Sequence, residues 1–109
     1  MARIFAIADL HLSASGTKPM DVFGEVWKDH PARIAAAWDA TVSAGDTLLL
    51  PGDLSWARDL VEARGDLAWI GARPGLKFLL RGNHDGWWGS VASVRRALPP
   101  GCYALQNDA

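Results

Sequence analysis

Three short apolar runs, each ending in a polar motif, constrain the fold of this chain most strongly. They predict β-strands over residues 3–8, 47–50 and 76–81, and a short fourth strand is expected over residues 103–105. Apolar residues at helical spacing between them predict three helices, over about residues 31–43, 57–70 and 90–98, with a long loop over residues 13–28. This order predicts an α/β fold of the form βαβαβαβ, with a mostly parallel sheet and flanking helices on one face.

The polar residues that follow the strands are of the types that bind metal ions. They form three motifs, Asp9-Leu10-His11, Gly52-Asp53 and Gly82-Asn83-His84-Asp85. Because the carboxyl ends of parallel strands open into one crevice, these side chains are expected to lie close together if the strands are neighbours. Carboxylate and amide oxygens with imidazole nitrogens form a donor set for a hard or borderline cation. The pattern therefore favours a metal-dependent hydrolase.

Each motif also has a plainer interpretation. Asp9 and His11 are two residues apart, which directs both side chains to one side of a strand, but a loop aspartate beside a surface histidine is the alternative. Asp53 is either a metal ligand or the cap of a following helix. The third motif is either part of a catalytic site or a Gly-Asn turn with an exposed histidine, and Asp85 is an alternative cap for the third helix.

Four further residues, His30, Arg81, Trp87 and Trp88, give weaker indications of a role at the site. His30 precedes a proline at the expected start of a helix, so a surface or capping role is favoured over metal binding. Of Trp87 and Trp88, one is expected in the core and one at the wall of the site. Arg81 is expected to pair with a local carboxylate, with a substrate phosphate as the alternative.

Composition excludes several classes of protein. A chain of 109 residues has room for one domain, and its net charge of -1 gives no long-range attraction to nucleic acid or to an anionic membrane. No apolar run approaches the length of a membrane span, and no signal peptide is recognised. The single cysteine, Cys102, rules out an internal disulfide and favours a cytoplasmic chain. No phosphate-cradling glycine motif or serine-hydrolase elbow is present.

The order Asp-x-His, Gly-Asp and Gly-Asn-His-Asp resembles the calcineurin-like metallophosphoesterases. Residues 19–24, 50–57 and 105–108 resemble a bacterial cytosolic subgroup of that family. The family signature continues with a lone histidine and Gly-His-x-His, which this sequence does not contain. The resemblance thus covers nearly the whole chain but only the N-terminal portion of the family's domain. It implies that residues 1–109 are a truncated part of that domain, resembling the first half of an α/β/β/α sandwich.

The resemblance also implies a set of metal ligands. By this likeness Asp9, His11 and Asp53 hold a first ion, while Asp53 bridges to a second ion that Asn83 also binds. Two divalent metal ions are expected, with Mn²⁺ favoured and Fe or Zn²⁺ as alternatives.

Two further residues are implied to be catalytic. His84 is expected to contact the substrate phosphate and to protonate the leaving oxygen, since its ordinary pKa lies near neutrality. Asp85 is expected to orient the imidazole of His84 and to favour its protonated form.

The function implied is hydrolysis of a phosphomonoester or phosphodiester by a metal-bound hydroxide at a dinuclear site. The partner is then a phosphate-ester substrate, and nucleic acid and membranes are not expected. Because later histidine ligands are absent, the isolated chain need not be active. Two alternatives stay open: a catalytically incomplete α/β module with a vestigial metal site that binds a partner, and a second chain that supplies the missing histidines. Substrate and oligomeric state stay open.

Overall fold

The computed structural model describes residues 2–8, 10–12, 30–82 and 85–105, and they form a single four-stranded sheet with three helices. The elements in chain order are β1 (Ile4–Ala6), α1 (His30–Thr41), β2 (Thr47–Leu50), α2 (Leu60–Gly71), β3 (Leu76–Leu79), α3 (Val91–Ala97) and β4 (Cys102–Ala104). All strand pairs are parallel, in the order β1-β2-β3-β4. The predicted α/β fold is confirmed. The loop predicted over residues 13–28 lies outside the described residues.

One face of the sheet carries the core. The strand register aligns Leu50 with Leu79 and Ala104, and all three side chains are buried beneath the helices. Each helix connects a strand to its next neighbour in the same direction. Because such crossovers are right-handed, the helices lie on the same face.

The opposite face of the sheet is apolar and exposed. Ile4, Leu49, Leu76 and Tyr103 are between 39% and 75% exposed on it, and the ring of Phe78 stacks on that of Tyr103 at 5.3 Å. Parallel sheets are usually covered on both faces. In the part of the chain that is described, helices cover only one.

Helix ends are set by side-chain caps rather than by the apolar pattern. The Asp59 side chain accepts a hydrogen bond from Glu62 N at 2.9 Å, so α2 begins three residues later than its periodicity indicates. Ser90 caps α3 through Ser93 N at 3.2 Å. The alternative in which Asp85 caps this helix is therefore wrong.

A buried lysine joins β3 to the end of α2. Lys77 is 2% exposed, and its Nζ donates to Arg73 O at 2.5 Å and to Gly71 O at 3.4 Å. These carbonyls lie at and just beyond the C-terminus of α2, where a cation is favoured. Burial nevertheless lowers the pKa of Lys77.

Cys102 lies beside Lys77 in the same buried row, as a small apolar residue, and burial raises the pKa of its thiol.

Each described helix has at most 12 residues, and none is long and apolar enough to cross a bilayer.

Asp46 ties the start of β2 to the residue before β1. Its carboxylate is buried and accepts from Ser43 N at 2.8 Å, from Arg3 N at 2.8 Å and from the Arg3 guanidinium at 3.3 Å. The main-chain donors Ser43 and Arg3 hold the pKa of Asp46 below its usual range, because they stabilise the ionised form.

We therefore expect Asp46 to make folding stability depend on acid pH. A pKa that is lower in the folded state contributes stability above the unfolded value of about 3.9, and that stability is lost as pH falls through the folded pKa. Asp46→Asn should lower the free energy of unfolding at neutral pH and flatten its decline below about pH 4. Urea unfolding across this range tests it. The control is Asp39→Asn, since Asp39 is half exposed and should change neither quantity much. Equal pH profiles for Asp46→Asn and wild type would contradict the assignment.

Candidate active site

The segments that follow β1 and β2 pair with each other beyond the ends of the strands. His11 N donates to Asp53 O at 3.0 Å, Leu12 N donates to Leu54 O at 2.9 Å, and Trp56 N donates back to Leu12 O at 2.9 Å. This short parallel ladder places the first two polar motifs side by side at the carboxyl edge of the sheet, where the sequence predicts the site.

The third motif meets the second through two glycines. A Cβ on Gly52 would lie 2.7 Å from the Cα of Gly82, and a Cβ on Gly82 would collide with the main-chain nitrogen and the carboxylate of Asp53. Gly52 also has a φ of 120°, which other residues avoid. Only glycine at both positions allows the two loops to touch, so the carboxylate of Asp53 lies directly against the start of the third motif.

Two polar residues at this edge adopt a backbone conformation that favours glycine. His11 has a φ of 47° and Asp53 has a φ of 53°. Within the described residues they are the only non-glycine residues with positive φ. Such conformations cost free energy and cluster at functional sites, where the surrounding structure holds them. The His11 ring stacks on Trp56, with centroids 5.1 Å apart and planes 21° apart.

His30 supports the first motif from below. It is buried, and its Nε2 lies 2.9 Å from Leu10 O and 3.2 Å from His11 O. Because both partners are carbonyl oxygens, Nε2 must be the nitrogen that carries the proton. The expectation of a surface or capping role is therefore wrong: His30 is the first residue of α1 and holds the main chain of residues 10–11. Its partners lie about 20 residues away in the sequence, so no local pattern indicates this contact.

Asp85 is buried, with 0% exposure, and joins the second and third motifs. Its Oδ1 accepts from Leu54 N at 2.8 Å, from Ser55 N at 3.1 Å and from Trp87 Nε1 at 3.0 Å. Its Oδ2 accepts from Gly82 N at 2.7 Å. The carboxylate thus holds the loop after β2 against the end of β3.

Three neighbours of the third motif differ from expectation. Trp87 and Trp88 are both 2% exposed, so both belong to the core and neither forms an exposed wall of the site. Arg81 is exposed, and its Nε donates to the main-chain oxygen of Asp85 at 3.4 Å. Among the described residues this contact takes the place of the expected pairing with a carboxylate.

The predicted metal ligands are only partly described. His11 and Asp53 lie together and are partly exposed, so a solute can reach both side chains. Asp9, Asn83 and His84 lie outside the described residues. Across residues 2–8, 10–12, 30–82 and 85–105, no three His, Cys, Asp or Glu side chains form a cluster that could hold a metal ion. An imidazole and a carboxylate are both donor types that fit a divalent cation chemically. The ligand roles, and the orientation of His84 by Asp85, stay predictions.

Comparison with known proteins identifies relatives from phages and from a bacterium. The chain is 34% identical to the gene 66 protein of Mycobacterium phage L5 over 86 residues, and 34% identical to that of Mycobacterium phage D29 over 88 residues. These matches span 79% and 78% of this chain and 41% of each phage protein. A crystal structure of a protein of unknown function from Aquifex aeolicus superposes with a TM-score of 0.61 at 25% identity, covering 92% of this chain and 50% of that one. The chain therefore spans about half the length of its relatives.

The family model for the calcineurin-like phosphoesterases matches residues 2–106, which include all three polar motifs. That family commonly binds two metal ions and acts on phosphoesters. The chain belongs to the calcineurin-like phosphoesterase family.

Proposed function

We propose that this chain forms the N-terminal part of a metal-dependent phosphoesterase site, which hydrolyses a phosphomonoester or a phosphodiester. The observation that carries the proposal is the pair His11 and Asp53. Both are polar, both have a positive φ, and the main-chain nitrogen of His11 donates to the main-chain oxygen of Asp53 at the carboxyl edge of the sheet. A positive φ is uncommon even for histidine and aspartate, and two such residues side by side at this edge favour a functional site over a simple turn.

In this proposal the ligands are the residues that the motifs predict. Asp9, His11 and Asp53 would hold one divalent cation, and Asp53 and Asn83 a second. We propose Mn²⁺ from the resemblance to the family, and oxygen and imidazole donors are compatible with Fe or Zn²⁺ as well. Two such cations, when bound, lower the pKa of a water molecule and neutralise charge on the phosphoryl oxygens.

The residues of the chain have separate tasks around that site. His84 would donate a proton to the oxygen of the leaving group, because an imidazole changes its protonation state near neutral pH. The stacked indole of Trp56 would limit the movement of the His11 ring. His30 would fix the main chain on which His11 stands.

Further ligands are needed to complete two metal sites. Asp9, His11, Asp53 and Asn83 give one ion three ligands and the other two. We propose that additional protein supplies the rest, either as further sequence of the kind that lengthens the relatives or as a second chain. We also propose a cytoplasmic location, because the lone Cys102 is buried and reduced, and membership of the bacterial cytosolic subgroup.

We expect Mn²⁺-dependent hydrolysis of a chromogenic phosphodiester, and we expect Asp53→Asn to abolish it. An amide cannot bridge two cations as a carboxylate does, so the rate should fall by about 100-fold or more, corresponding to several kcal/mol of lost stabilisation. Steady-state assays with and without Mn²⁺ test this. Asp39→Asn makes the same chemical change at a half-exposed surface site and should leave the rate unchanged.

The binding of Mn²⁺ separates the possible outcomes of that assay. If the folded chain binds Mn²⁺ without turnover, extension by downstream sequence carrying a lone histidine and Gly-His-x-His should restore activity. If that extension leaves the chain inactive, the partner-binding module with a vestigial site is the better description. If Mn²⁺ binds no more tightly than to the matching Asp53→Asn variant, both for the chain alone and for the chain with that extension, the metal site is disproved.

A second prediction concerns the leaving group, in whichever form of the protein is active. His84→Asn should slow hydrolysis of an ester with a poor alkyl leaving group by about 100-fold to 10,000-fold, because that oxygen needs a proton. A nitrophenolate leaving group needs little protonation, so the same variant should lose much less activity with that ester. Paired kcat/KM values for the two esters measure the difference. Equal losses would rule out His84 as the general acid.

A further inference from the structure

We infer that Asp85 is a positioning residue for Asp53, in addition to any contact that it makes with His84. Its carboxylate sets the place of Asp53 relative to β3, and thereby the affinity of the site for metal. The inference relies on the proposed function only for the role of Asp53 as a metal ligand.

The Asp85 carboxylate binds main-chain groups of two separate loops. Two of its donors, Leu54 N and Ser55 N, belong to the two residues that directly follow Asp53. A third donor, Gly82 N, belongs to the segment that leaves β3. The Asp85 side chain therefore holds the main chain of both loops. It binds the loop after β2 at the two residues that directly follow Asp53.

The distance between the two loops has both a lower and an upper limit. The contact of Gly52 with Gly82 sets the closest approach, because any Cβ there would collide. The hydrogen bonds of Asp85 set the largest separation, since they break when the loops move apart by more than a few tenths of an ångström. Asp53, with its φ of 53°, lies between these two limits and has little freedom to relax.

Asp85 itself is held rigidly by its buried surroundings. The indole of Trp87 donates to Oδ1 and packs at 5.4 Å from the ring of Trp88, and both tryptophans are buried. A buried ionised carboxylate is stable only when its hydrogen bonds are made, and four N–H donors provide them here. An amide at position 85 cannot replace all four bonds, because its oxygen accepts on one side only and its NH₂ group would face an N–H donor on the other, and the bonds that remain would lose the assistance of the charge.

A second buried carboxylate offers a matched control. Asp66 of α2 accepts a hydrogen bond of 2.5 Å from the Ser55 hydroxyl, and Ala57 N donates to that hydroxyl at 3.0 Å. Asp66 therefore supports the same loop from the helix side. The hydrogen bond from Ser55 joins α2 to the loop and makes no connection to β3, so losing it should destabilise the fold without freeing Asp53 from Gly82.

The experiment compares Asp85→Asn with Asp66→Asn by two measurements. The first is amide hydrogen exchange in the metal-free protein, read by NMR. Asp85→Asn should speed exchange at Leu54 and Ser55 and shift the indole N–H signal of Trp87, while Asp66→Asn should leave that indole signal in place. The second is Mn²⁺ affinity by calorimetry, which Asp85→Asn should weaken by about 10-fold to 100-fold, as is typical when a residue that orients a ligand is lost. Asp66→Asn should stay close to wild type.

A further pair of variants tests the positioning role of Asp85 if Asp85→Asn does not fold. Trp87→Phe removes the indole donor to the Asp85 carboxylate, whereas Trp88→Phe replaces the adjacent buried indole and leaves the main-chain bond from Trp88 N to Asp85 O in place. Trp87→Phe should perturb the Leu54 and Ser55 amides and weaken Mn²⁺ binding more than Trp88→Phe does. Equal effects of the two variants would overturn the inference.

The outcomes distinguish this inference from the proposed function. If wild type and Asp85→Asn bind Mn²⁺ equally, the positioning role is wrong and the metal site stands. If wild type binds no Mn²⁺ either alone or with the extension that carries the further histidines, the proposed function fails, and unchanged exchange at Leu54 and Ser55 in Asp85→Asn would overturn the positioning role as well.

Discussion

The contact between the backbones of Gly52 and Gly82 is the constraint on which the rest of the site depends. It can form only because β2 and β3 are parallel neighbours whose chains leave the sheet at the same edge. Once the two loops touch, the Leu54 and Ser55 amides and the Gly82 amide point toward one small volume, and the Asp85 carboxylate fills it. A side chain at either glycine would remove both the contact and the convergence of these donors.

The architecture followed from the sequence because it depends on local signals. Runs such as residues 47–50 are apolar enough to read as buried strands, and a parallel sheet has a fixed relation between strand ends and ligand positions. That relation predicts that the first two motifs are neighbours, and the hydrogen bond from His11 N to Asp53 O shows that their main chains lie side by side. Boundaries were less well predicted, since α2 begins where Asp59 caps it and not where its apolar face begins.

The supporting residues could not be predicted, and for a common physical reason. His30 binds the carbonyls of residues 10 and 11, and Asp85 binds the amides of residues 54 and 55. Main-chain groups are the same in every residue, so no sequence pattern identifies a side chain that will meet them from a distance. Trp87 illustrates the same point, because its indole is buried to serve a hydrogen bond to Asp85, which its position next to a polar motif does not suggest.

Two features agree with the proposal that this chain is one part of a phosphoesterase domain that works together with more protein. The sheet face that bears Leu49 and Tyr103 is apolar and open in the described residues, although parallel sheets usually have both faces covered. The proposed ligands at the carboxyl edge, Asp9, His11, Asp53 and Asn83, are fewer than two cations require. In the proposed site, His30 would hold the main chain at His11, and Asp85 would hold the two residues that follow Asp53, without help from the remaining ligands. A preorganised partial site of this kind lets the missing ligands complete the centre at a smaller cost in conformational entropy.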